Sequence, residues 1–222
     1  MKNPLAREPA PKAEKSGGAQ LLELVVIVAV ALGLALGIQA LLVKPYRIPS
    51  ESMVPTLEVG QRVLVNRIGN RFNAPEVGEV VVFHPPAFAE SRDGEGKGPD
   101  RECGVVPPKG APCPKPGAEE DAQNFIKRVV AGPGDTLAIE DGHVILNGES
   151  QAEKESEFIR PCGGGAGCNY RTPITIPPDH WFMMGDNRGE SKDSRFWGPV
   201  PKEWIIGGAF ATYWPPGRVG LL

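Results

Sequence analysis

The chain has 222 residues, enough for one membrane anchor and one domain with a sizeable core. Its 28 glycines and 24 prolines make up almost a quarter of the residues, about twice the usual share, which argues for many turns and short strands over a helical bundle. A formal net charge of -3 leaves no basic footprint, so nucleic acid is excluded as a partner.

Residues 1–20 are polar, carry Lys2, Arg7, Lys12 and Lys15 and show no apolar periodicity, which reads as a disordered tail. Residues 21–43 are apolar apart from Glu23 and Gln39. As a helix rising about 1.5 Å per residue, this run covers roughly 35 Å, enough to cross a hydrocarbon core of about 30 Å. A cleaved signal peptide has an apolar stretch of only about 7–15 residues, so the run reads as a retained transmembrane helix. Positive charge is denser before it than at Lys44 and Arg47 just after it. The positive-inside rule therefore places the tail in the cytoplasm and residues 44–222 outside.

Directly after the anchor comes Ile48-Pro49-Ser50-Glu51-Ser52-Met53-Val54-Pro55-Thr56-Leu57. Its prolines forbid helix and favour extended or turn backbone, so two serines are held on a stiff segment. The short span from Val43 reaches at most about 30 Å, which keeps Ser52 near the membrane–water boundary.

From residue 45 onward the pattern is β. Residues 61–66 and 79–84 are β-branched runs bounded by glycine, and residues 126–130, 172–176, 180–184 and 205–213 read as further strands. Residues 136–139 and 143–147 flank Glu140-Asp141-Gly142, a hairpin signal. They open a smaller inserted β-region at about residues 136–178. Residues 85–123 form a long Pro- and Gly-rich excursion without repeats. The fold class is all-β, either twisted antiparallel sheets or a partly closed barrel, behind one N-terminal transmembrane helix.

Cys103, Cys113, Cys162 and Cys168 fall as two local pairs in loop-like surroundings. Four cysteines allow three connectivities; the short intervening loops favour 103 with 113 and 162 with 168. A zinc site is the rival, against which neither spacing is the usual gap of about two to four residues. Disulfides would place this part of the chain in an oxidising compartment such as a periplasm.

An exposed serine hydroxyl needs a base to react. His84, His143 and His180 lie in or beside strand-like segments, where packing or surface roles are ordinary, and no Gly-x-Ser-x-Gly elbow occurs. Lys127 lies in Phe125-Ile126-Lys127-Arg128-Val129-Val130, with Phe125 and Val129 on its face of the strand. Burial there would disfavour its charged form, and a neutral lysine can take a serine proton near neutral pH. The bland alternative is a solvated lysine on an edge strand.

Four blocks occur in order: Ser-x-Ser-Met-x-Pro-Thr-Leu (50–57), Gly-x-x-Val-Leu-Val-Asn (60–66), Lys-Arg-Val-Val-x-Gly-Pro-Gly-Asp (127–135) and Gly-Asp-Asn-Arg-x-x-Ser-x-Asp-Ser-Arg (185–195). With the anchor, they resemble bacterial signal peptidase I, a family of Ser/Lys endopeptidases that remove signal peptides from exported preproteins. The resemblance runs from about residue 21 to Pro216. It implies Ser52 as nucleophile and Lys127 as general base, with the Ser50 hydroxyl and the Ser52 backbone N–H serving the oxyanion. Ser191 would orient the lysine, while Asp193 and Arg195 would pair with each other and support the site; Asp186, Asn187 and Arg188 would be structural.

By the same resemblance, Ile48, Pro49, Met53, Leu57, Phe125 and Ile126 are candidates to line shallow pockets for small residues at the −1 and −3 positions, with the substrate added as a strand. It implies no metal and no cofactor, signal peptides and the lipid bilayer as partners, and a single-pass protein of the bacterial inner membrane. The rivals are a specialised pilus- or conjugation-type maturation peptidase and a non-catalytic anchored envelope-binding domain.

Overall fold

A computed structural model describes residues 17–87, 89, 103–164 and 167–222. The chain divides into two units, one ending at Ala40 and one running from Leu41 to Leu222.

The helix α1, Gly17–Leu41, lies in the first unit in all but its last residue. It is apolar on all sides, with Leu21, Leu24 and Leu32 each more than half exposed, the pattern of a helix whose solvent is lipid. Among the described residues it is the one helix long and apolar enough to cross a membrane. It starts at Gly17, ahead of the Leu21 read from hydropathy, so residues 17–20 are helical; the rest of the expected tail, residues 1–16, lies outside the described residues. At its other end Val43 does not continue the helix but opens a strand. Pro45 explains the stop, since its ring blocks helical hydrogen bonding and biases Lys44 toward extended backbone.

The second unit is built from antiparallel strands in two sheets. The larger contains β1 (Val43–Arg47), β2 (Arg62–Asn66), β3 (Val80–Phe83), β4 (Phe125–Ala131), β9 (His180–Met184), β10 (Val200–Pro201), β11 (Ile205–Trp214) and β12 (Gly220–Leu221). Its order is β1-β2-β11-β3-β4-β9-β10, with β12 on β11; the terminal strands β1 and β10 do not pair, so the sheet curls without closing. The smaller sheet, between β4 and β9 in sequence, holds β5 (Thr136–Glu140), β6 (His143–Leu146), β7 (Glu149–Ser150) and β8 (Tyr170–Thr175) in the order β7-β6-β5-β8. Its β5–β6 hairpin turns at Asp141 and Gly142, with φ of 50° and 80°, the left-handed pair that an Asp-Gly turn supplies.

The strands β1, β7, β10 and β12 escape sequence reading because so short a run, or one containing proline, carries no periodicity. By contrast β3 is buried at all four positions, as an apolar strand covered on both faces should be. Strand β4 feeds three apolar clusters among the described residues: Val129 packs in one, Val130 and Ala131 in the second, and Ile126 in the third. Cys103 is bonded to Cys113 and Cys162 to Cys168, which removes the zinc alternative for these sulfurs.

Candidate active site

The segment after β1 is pinned before its serines begin. Ile48 N donates to the Gln61 carbonyl and Gly60 N to that of Ile48, each at 2.9 Å. Ser50 is extended, and residues Glu51–Met53 form one turn of 3-10 helix. Met53 and Leu57 are fully buried in the core, so the apolar side of the turn anchors it. From the far side Asn187 N donates to the Ser52 carbonyl at 3.0 Å and Asn187 Nδ2 to that of Glu51 at 3.1 Å. The Ser52 side chain is held by backbone on both flanks, with its Oγ 3.3 Å from Ser50 Oγ.

Lys127 comes to this turn from the middle of the sheet. Its strand has β3 on one side and β9 on the other, so the lysine is not on an edge, and it is only 4% exposed. Lys127 Nζ lies 2.6 Å from Ser52 Oγ, between residues 75 apart in sequence, and 5.5 Å from the Phe125 ring centroid. Burial pulls its pKa from 10.5 down to about 8; the Asp193 charge opposes that shift, Arg195 assists it and Asp186 opposes it. Loss of hydration is the leading cause, because a buried ammonium gives up strong solvation.

Residues 185–195 carry the charges behind this pair. Asp193 and Arg195 are fully buried and joined twice, Nε to Oδ1 at 2.7 Å and Nη2 to Oδ2 at 2.8 Å. Burial alone would raise the Asp193 carboxyl, but the Arg195 charge, its hydrogen bond and the Gly185 N–H hold it below the usual carboxylate range. Arg195 donates further to the carbonyls of Gly167, Arg188 and Ser191. Asp186 accepts from Arg128 at 2.8 and 2.6 Å and from Thr56 Oγ1 at 2.5 Å, tying the serine segment to β4. Arg188 reaches the smaller sheet, donating to Glu155 Oε1 at 2.7 Å and to the Gly142 carbonyl.

Ser191 is buried, and its hydroxyl is near enough to Asp193 to help keep that carboxylate ionised. It has no partner in hydrogen-bond geometry among the described residues, Lys127 included. Gly185 makes this approach possible, since a Cβ there would collide with the Ser191 side chain and the Ser52 carbonyl.

A cleft of about 330 Å³ opens onto the pair, lined by Ser50, Ser52, Ala89, Phe125, Lys127, Glu190 and Lys192. Of the six pocket candidates, Phe125 lines it, while Ile48, Met53, Leu57 and Ile126 pack in the core and Pro49 is exposed. Sequence reading did not select Ala89, Glu190, Lys192 or the Asn187 staple. A larger cavity of about 530 Å³, lined by Arg67, His84, Glu120, Lys202 and Glu203 among others, holds neither serine nor Lys127. The histidines are engaged elsewhere: His84 with the Gln123 carbonyl, His143 with Glu155 and His180 with the Pro178 carbonyl.

A serine hydroxyl 2.6 Å from a lysine amine that is substantially neutral near pH 8 is an arrangement for proton removal. The sequence profile of the family described as signal peptidase, peptidase S26, matches residues 21–214. The chain belongs to this family. A signal peptidase I from Leptolyngbya laminosa is 34% identical over 202 residues, spanning 91% of this chain and 84% of the relative. A probable signal peptidase I-2 from Synechocystis sp. is 33% identical over 222 residues, spanning 100% of this chain and 86% of the relative. A probable thylakoidal processing peptidase 2, chloroplastic, from Arabidopsis thaliana is 35% identical over 192 residues, 85% of this chain and 43% of the relative. This signal peptidase family member is an enzyme, and its apolar α1 fits membrane anchoring.

Proposed function

We propose that this chain removes signal peptides from exported preproteins as a membrane-anchored serine endopeptidase, with Ser52 as nucleophile and Lys127 as general base. The observation that carries the roles is the 2.6 Å approach of Lys127 Nζ to Ser52 Oγ inside a buried setting. The neutral amine takes the Ser52 proton as Oγ bonds to the substrate carbonyl carbon. Negative charge then builds on the carbonyl oxygen, where the Ser50 hydroxyl and the Ser52 N–H are the donors; such preorganised donors are worth about 3–4 kcal/mol each in other hydrolases. Lys127 returns its proton to the departing amine, leaving an acyl-enzyme, and then draws a proton from the water that releases the signal peptide.

The Asp186 bonds to Thr56 and Arg128 and the Asn187 staple hold the two segments in register; the Asp193–Arg195 pair supports the loop behind them, and Ser191 is the proposed orienter of the amine. In this reading the protein belongs to the bacterial inner membrane with its tail in the cytoplasm and its catalytic domain outside, which the charge asymmetry around the apolar run supports. Neither the specialised maturation peptidase nor the non-catalytic binding domain has an observation in its favour.

The test uses detergent-solubilised full-length protein and a preprotein with alanine at −1 and −3, followed by mass spectrometry. Wild type cuts after the −1 alanine, and Ser52→Ala and Lys127→Ala do not. Cleavage by Lys127→Ala would remove the lysine from the mechanism.

A further inference from the structure

We propose that Ala89, delivered by the 85–123 excursion, is a specificity-determining residue: it forms the apolar wall against which the substrate side chain just before the cleaved bond packs. The proposal rests on reading the cleft as a signal-peptide site and assigns the excursion a task there.

The excursion leaves the sheet between Phe83 and Phe125, which are register partners on β3 and β4. Its roots prolong that ladder. His84 Nδ1 is 3.0 Å from the Gln123 carbonyl, Asp121 N donates to Pro85 O at 2.7 Å, Pro86 bridges Glu120, and Ala87 N donates to Glu119 O at 2.8 Å. A turn then closes, with Ala89 N donating to the Pro86 carbonyl at 3.1 Å. Pro85 and Pro86 have fixed φ, so the direction of this turn is set by stiff backbone.

The turn folds Ala89 back onto the sheet, where it is 1% exposed in a cluster with Val81, Phe83, Val129 and Trp197. At the same position it lines the cleft that contains Ser52 and Lys127. Of the seven described lining residues, Ala89 and Phe125 are the apolar ones; Glu190 and Lys192 are exposed and charged. The substrate residue at −1 carries the carbonyl that the proposed nucleophile Ser52 attacks, so its side chain shares this cleft with the reacting atoms. Among the described lining residues, the apolar surface offered to that side chain is one methyl and one ring. Ala89→Val adds two methyl carbons to this surface and Ala89→Gly removes one, the same steps that separate valine, alanine and glycine in the substrate.

The experiment measures kcat/KM for full-length wild type, Ala89→Val and Ala89→Gly in detergent. The substrates are preproteins with Gly, Ala or Val at −1 and alanine held at −3. One methyl in a tight pocket changes selectivity by about tenfold or more. Ala89→Val therefore lowers the alanine-to-glycine ratio by about that factor, and Ala89→Gly raises the valine-to-alanine ratio likewise. A ratio taken within one variant does not depend on how much of it is folded, so a loss of stability does not imitate the effect. Unchanged ratios in both variants, with wild type cutting the alanine substrate, would overturn the role of Ala89 and leave the proposed function standing. Failure of wild type to cut any of the preproteins would overturn both.

Discussion

Lys127 and Arg195 are two cations buried to similar depth, 4% and 1% exposed, and both feel the charge of Asp193, yet their ionisation moves in opposite directions. For each, burial favours the neutral form. Arg195 meets the Asp193 carboxylate through two nitrogens and gives other N–H groups to three backbone carbonyls, so pairing outweighs burial and its pKa rises. Lys127 faces the Ser52 hydroxyl, and its pKa falls to about 8. Depth of burial does not set the charge of a buried group. The partner it meets does, because a carboxylate returns the solvation that a hydroxyl cannot.

The most severe way to break this contrast is Lys127→Arg, which puts a cation that cannot lose its proton in the place of the proposed base. Cleavage should fall by about 10⁴-fold or more, and raising the pH to 10 should not restore it. Recovery of activity at high pH would mean that another group supplies the base. Next, Arg195→Met leaves Asp193 buried and unpaired, at a cost of about 3–5 kcal/mol in denaturant melts. In the protein that remains folded, Lys127 loses the cation that helps lower its pKa. The pH of half-maximal activity should therefore move above 8, a shift that simple unfolding does not produce.

Ser50→Ala tests the serine side of the contrast. It should lower kcat by about 10²-fold with KM nearly unchanged, because its donor acts on charge that exists only in the transition state. For wild type, with neutral Lys127 as the proposed base, activity should climb about tenfold per pH unit below 8 and level off above it, and a chelator should leave the profile unaltered.

The smallest expected effect is on stability. The unfolded chain binds a proton at Lys127 up to its ordinary pKa of 10.5 and the folded chain only up to about 8. Stability therefore rises with pH across that window, and the full penalty applies below it. Lys127→Met should gain about 2 kcal/mol at pH 7, a gain that shrinks by pH 10, as read from melts at the two values.

Much of the architecture could be read locally. The run that became α1 is continuous and apolar, and β3, β4 and the β5–β6 hairpin carry their own patterns. The pocket residues were far less legible. Ile48, Met53, Leu57 and Ile126 flank the site in sequence, but a side chain beside a cleft can point into it or into the core, and these four point into the core. Ala89 was invisible for the converse reason: it lies in a polar excursion with no pattern, and only the β3–β4 ladder and its closing turn carry it to the cleft.

By itself the sequence determined what rests on neighbours along the chain: the length of α1, the alternation of the strands, the Asp-Gly turn and the residue types of the serine and lysine segments. Tertiary structure decided what rests on neighbours in space. Lys127 lies between β3 and β9 and 2.6 Å from Ser52, Asp193 is held by Arg195, and Ser191 is tucked under Gly185. The physical reason is desolvation. A lysine has its ordinary pKa in an open strand and a lowered one only when the surrounding fold has removed its water.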